Sequence, residues 1–95
     1  MSQTRGVFNL MDEIRKLAEA IKFENKTEEK LWMAFTILSI HVDAGLISKE
    51  LYKSLMKYHF VEELDDTGAV IVDPKLKIRY VIDFITGSVT IRPWK

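Results

Sequence analysis

An α+β fold, three helices packed on a small C-terminal antiparallel β-meander, is predicted by three features of the sequence. Apolar residues recur at helical spacing from Val7 to His59, alternation with a period of two takes over from Ala69, and turn residues separate the two regimes. The chain has 95 residues, of which 47% are hydrophobic and 29% charged. That composition is globular, and a single domain spanning residues 1–95 is expected because two halves would each have too small a core.

The first helix, about 7–23, follows from Val7, Leu10, Met11, Ile14, Leu17, Ala18 and Ile21, which fall on one stripe, with Asp12, Glu13, Arg15, Lys16, Glu19 and Lys22 outside it. Glu24, Asn25 and Lys26 break the pattern. Thr27 is the expected N-cap of a second helix, about 27–44, with Glu28 and Glu29 at the positive end of its dipole. Its apolar residues lie almost all round, so it is expected to be central, with Leu31, Phe35, Leu38 and Val42 mostly buried. Gly45 supplies the left-handed residue that ends it, Leu46 folds back as the apolar partner of that cap, and Ser48 caps the third helix, about 48–59. Leu51, Tyr52, Leu55, Met56 and His59 form one side of the third helix. Lys49, Glu50, Lys53 and Lys57 lie largely opposite.

Phe60 to Leu64 reads as either a short strand or a loop, and Asp65 to Gly68 as a turn. Strands follow at about 69–73, 77–85 and 89–92. In the middle one Ile78, Tyr80, Ile82 and Phe84 alternate with Lys77, Arg79, Val81, Asp83 and Ile85. Thr86, Gly87 and Ser88 form the turn into the last strand, which Pro93 closes.

Fourteen Lys plus Arg balance fourteen Asp plus Glu, which removes the whole-molecule field that usually drives phosphate-backbone or polybasic membrane binding. There is no cysteine, hence no disulfide, thiolate nucleophile or cysteine-based metal centre. Leu31 to Val42 is far shorter than the about 20 apolar residues of a membrane span. Met1 to Gly6 lacks a basic segment leading into an apolar one, so a cytoplasmic location is expected. His41 and Asp43 are two apart on a helix and do not share a face, His59 stands apart, and no serine sits in a Gly-x-Ser-x-Gly elbow. The expectation is no enzyme: no catalytic residue, no metal ligand, no cofactor and no small-molecule ligand.

Asp66, Thr67, Gly68 and Ala69 spell a tetrapeptide that resembles the catalytic motif of the aspartic proteases. Glu62, Glu63 and Asp65 precede it where that family has an apolar strand, so an acidic turn is expected instead. Ala44 to Tyr52, A-G-L-I-S-K-E-L-Y, resembles both the short helical hairpin found at the ends of many bacterial and phage proteins and the helix-turn-helix. Three helices before a hairpin also resemble a winged helix. That likeness implies DNA contact by the helix 48–58 and the hairpin 75–92, through Lys49, Lys53, Lys57, Lys75, Lys77 and Arg79. The third helix has no Arg, Asn or Gln for base readout, so nucleic acid is disfavoured as a partner. The charge-rich, amide-poor composition with the closing T-I-R-P-W-K is similar to that of small uncharacterised proteins of hyperthermophilic archaea. A helix layer on a meander is similar in outline to the wedge-shaped peripheral domain of phage-type capsid subunits, which implies a structural or assembly role.

The function expected from the sequence is therefore a non-enzymatic structural or protein-interaction module that forms homo-oligomers. Trp32, Tyr52, Tyr58, Phe60 and Trp94 are its candidate interface, because Trp and Tyr dominate interface hot spots. The alternative is the winged-helix-like regulator.

Overall fold

Helices α1 (Leu10–Glu19), α2 (Lys26–Asp43) and α3 (Lys49–Tyr58) precede strands β1 (Phe60–Leu64), β2 (Gly68–Asp73), β3 (Ile78–Asp83) and β4 (Val89–Pro93). The computed structural model describes residues 9–95; Val7, the first residue of the expected apolar stripe, lies outside them. The strands form one antiparallel sheet in the order β1-β2-β3-β4, so each chain neighbour is also a spatial neighbour.

Asn9 starts α1 by accepting hydrogen bonds from the N–H groups of Met11 and Asp12, and the helix buries Met11, Ile14 and Ala18. It stops at Glu19, short of the expected residue 23. The N–H groups of Ala20 and Ile21 turn back to the carbonyls of Leu17 and Ala18, three residues away, and this tightening ends the helix. Phe23 leaves the stripe and meets Trp32, with ring centroids 5.7 Å apart.

Asn25, not Thr27, caps α2: its side chain accepts from Glu28 N at 2.8 Å, while Glu28 Oε1 accepts from Glu24 N. Asn caps at least as well as Thr, and its extended backbone here aims the amide oxygen at the first turn. The buried side of α2 is Met33, Ala34, Ile37 and Leu38. Of the four residues expected there, Leu38 is buried, and Leu31, Phe35 and Val42 are half-buried on the flanks. At the end of α2, Gly45 has φ +79°, its N–H donates to Val42, and that of Leu46 donates to His41. Leu46 nevertheless points outward, 71% exposed. Ile47, one residue on, takes the buried position. Ser48 caps α3 by accepting from Leu51 N at 3.1 Å, and Leu55 is its fully buried residue.

Phe60–Leu64 is a strand, pairing with β2 across a bulge between Val61 and Glu63. Strand β3 is shorter than expected. Lys77 has φ +57° and closes the preceding turn, and Asp83 Oδ1 accepts from the N–H groups of Ile85 and Thr86, curling the chain away after Asp83. The link to β4 is accordingly Phe84 to Ser88 rather than three residues, although Phe84 still points into the core. Ala69, Ile71, Tyr80 and Ile82 form the inner sheet face and pack with Met11, Ile14, Met33, Ile37, Leu38 and Leu55 in one core. All three helices lie on that face.

Candidate interaction face

No helix among the described residues covers the opposite face, and strand register sets its rows. Phe60, Val72, Arg79 and Arg92 stand abreast, then Glu63, Val70, Val81 and Thr90, and then Gly68 beside Asp83. At the Phe60 end a clasp runs from one edge strand to the other. Trp94 N donates to Lys77 O at 2.9 Å as the chain leaves β4, and its ring meets Phe60 edge-on at 5.6 Å. Trp94 Nε1 donates to Glu62 Oε2 at 3.3 Å, and Glu62 Oε1 lies 3.8 Å from Arg79 Nη1. Val72, in the same row as Phe60 and Arg79, is buried. Beside the clasp, Tyr58 holds Lys57 Nζ and Lys75 Nζ over its ring at 5.4 and 5.5 Å.

The other end of the face is a trough of about 280 Å³ lined by Glu63, Asp65, Gly68, Val70, Val81 and Asp83. Asp65 Oδ1 accepts from Thr67 Oγ1 at 2.7 Å, Thr67 N at 2.8 Å and Gly68 N at 3.1 Å. These hydrogen bonds, that of the Thr67 hydroxyl foremost, hold its carboxyl below the usual aspartate value, with the Lys30 charge adding to them. Asp83 is lowered in the same way, first by the backbone N–H of Ile85 and then by that of Thr86. Both are anions at neutral pH. Gly68 is required because a Cβ there would collide with the Ile82 carbonyl oxygen on the neighbouring strand. The face thus has an apolar middle, a cationic end with Lys57, Lys75, Lys77, Arg79 and Arg92, and an anionic end, although the whole chain carries no net charge.

Of the five expected interface residues, Tyr58, Phe60 and Trp94 are brought together. Trp32 and Tyr52 are not at this surface: Trp32 packs against Phe23 and the core, and Tyr52 is half-buried, its hydroxyl sharing a 2.9 Å hydrogen bond with Ser39. Both sit on helix sides that the core uses. Of the six expected basic residues, Lys57, Lys75, Lys77 and Arg79 gather at the cationic end, while Lys53 and Lys49 lie about one and two turns back along α3. Val70, Val81, Asp83, Glu63 and Arg92 were missed. The alternation Arg79, Val81, Asp83 within one strand was the available signal.

The D-T-G-A segment runs from the β1–β2 turn, Asp66 and Thr67, into the start of β2, Gly68 and Ala69. Asp66 is exposed and pairs with Lys30 at 3.1 Å. His41 and His59 each donate from Nδ1 to the carbonyl four residues earlier, of Ile37 and Leu55, and His59 packs on Phe35. Among the described residues no three His, Asp or Glu side chains converge as metal ligands, and no helix is long and apolar enough to cross a membrane. Comparison with protein families, with curated proteins and with solved structures finds no match to this chain.

Proposed function

We propose that the protein is a non-enzymatic structural module of the cytoplasm that self-associates through the uncovered sheet face. One observation carries this reading: that face joins an apolar middle, Val70 and Val81, to ends of opposite charge, which makes it complementary to itself. Four strands of this length present a patch of about 20 by 20 Å. Two such patches fall short of the roughly 1,200 Å² at which specific, stable interfaces begin, so the assembly is reversible. An assembly role of this kind is in keeping with the outline shared with peripheral capsid domains, and the amide-poor composition is in keeping with a heat-adapted archaeal source.

Sedimentation velocity from micromolar to millimolar protein tests it. A species heavier than 11.1 kDa should grow with concentration and be lost in Val81→Lys. A monomer throughout that range would overturn the proposal. The second reading, nucleic-acid contact, is favoured by the cations gathered around Tyr58. It predicts salt-sensitive binding of single-stranded or duplex DNA that Lys75→Glu abolishes.

A further inference from the structure

We infer that two copies stack face to face with their third strands antiparallel, about a two-fold axis at Val81, so that Arg79 of each copy opposes Asp83 of the other. The inference rests on the self-association just proposed and specifies its geometry.

Arg79, Val81 and Asp83 project from the same side of β3, successive members about 6.8 Å apart along the strand. The strand is therefore cationic, apolar and anionic in turn. With their strands aligned, two sheets can meet through this face by two in-plane two-fold rotations. An axis parallel to the strands sets Arg79 on Arg79 and Asp83 on Asp83, two like-charge contacts. An axis across the strands sets each Arg79 on an Asp83 and leaves Val81 on Val81 at the centre. Like charges brought together across an interface are strongly unfavourable, so the second arrangement is selected. Stacked sheets lie about 10 Å apart, a gap that an arginine and an aspartate side chain span together.

Both groups are free to respond. Asp83 Oδ1 accepts from the N–H groups of Ile85 and Thr86 in the turn, the Thr86 hydroxyl also supports the charge, and the side chain stays only partly buried on the uncovered face. Arg79 is held by a single loose contact of 3.8 Å to Glu62 and is about one third exposed. Edge-to-edge pairing, the other route for an open sheet, is obstructed on both sides. The edge strand β1 is bulged between Val61 and Glu63, and β4 ends in Arg92 and Pro93.

Charge exchange tests the arrangement by sedimentation velocity. Arg79→Glu alone and Asp83→Lys alone should each weaken the homodimer by about tenfold or more, because each places like charges at both reciprocal contacts. An equimolar mixture of the two should restore dimers, since every contact then joins opposite charges. Asp83→Asn, which keeps the oxygen that accepts from Ile85, should weaken the dimer and reduce its salt sensitivity, and far-UV circular dichroism checks that each variant is folded. If the unaltered protein dimerises but the charge variants dimerise equally well and mixing adds nothing, this geometry is wrong and self-association stands. If the unaltered protein never dimerises, both fail.

Discussion

Arg15 Nη2 donates to the carbonyl oxygen of Phe84 at 2.8 Å, joining α1 to the link between β3 and β4. The same link receives Leu10 and Met11, which lie against Gly87. Arg15 thus adds a charged hydrogen bond to the apolar packing by which Met11 and Ile14 hold the first helix in the core. Arg15→Met should destabilise the fold by about 1–2 kcal/mol, because a partly buried carbonyl loses its charged donor. A urea midpoint unchanged from that of the unaltered protein would show that solvent replaces the bond at no cost.

Two glycines should respond differently to alanine. At Gly68 the new Cβ would run into the Ile82 carbonyl oxygen, backbone that cannot move without opening the β2–β3 pairing, so Gly68→Ala should cost about 1–3 kcal/mol or more. At Gly45 a Cβ meets nothing within 4 Å, and the only penalty is the left-handed backbone at φ +79°, roughly 1–2 kcal/mol. Thermal melts of the two variants rank them. Gly68→Ala melting above Gly45→Ala would contradict the register of β2 and β3.

Truncations along α2 should distinguish its sides. Ile37 is fully buried in the core, and Ile37→Ala should cost about 2–5 kcal/mol. Phe35 is half-buried on the flank against His59, so Phe35→Ala should fall below the about 3–5 kcal/mol of a fully packed phenylalanine. Denaturant titration of both variants gives the comparison.

The helices were legible where an apolar stripe had a clear polar opposite, as in α1 and α3, and the sheet where alternation was strict, as from Ile78 to Phe84. In α2 apolar residues on every side left the core-facing one undetermined, because only the positions of α1, α3 and the sheet rank them. In β1 the bulge shifts the register after Val61 and spoils the alternation that marks a strand. Asn25 and Thr27 were both competent caps, and the contact of Glu28 with Asn25 decided between them. The clasp was invisible for another reason: Phe60, Glu62, Arg79 and Trp94 come from both edges and the middle of the sheet, and no local pattern joins them.

Tyr80 gives a pH prediction with a definite sign. Its hydroxyl is buried, and burial first, then the negative charge of Asp73, pushes its pKa up to about 12 from 10.0. The folded state therefore holds this proton more tightly than the unfolded chain. The resulting stability is fully present below pH 10 and is lost between about pH 10 and 12. Tyr80→Phe should gain on the unaltered protein across that interval, and no change in their difference from pH 8 to 12 would refute the assignment.

The two tryptophans stand on opposite sides of the sheet, Trp32 on α2 beside Phe23 and Trp94 in the clasp with its indole N–H on Glu62. The molecule thereby carries two separate optical probes. With Trp32→Phe, the remaining emission comes from the uncovered face and should shift if a second copy docks there, as proposed, and excludes water from it. With Trp94→Phe, it comes from the helical layer and tracks unfolding. The proposed association and the melting of one chain can thus be followed through different indoles, with no dye attached.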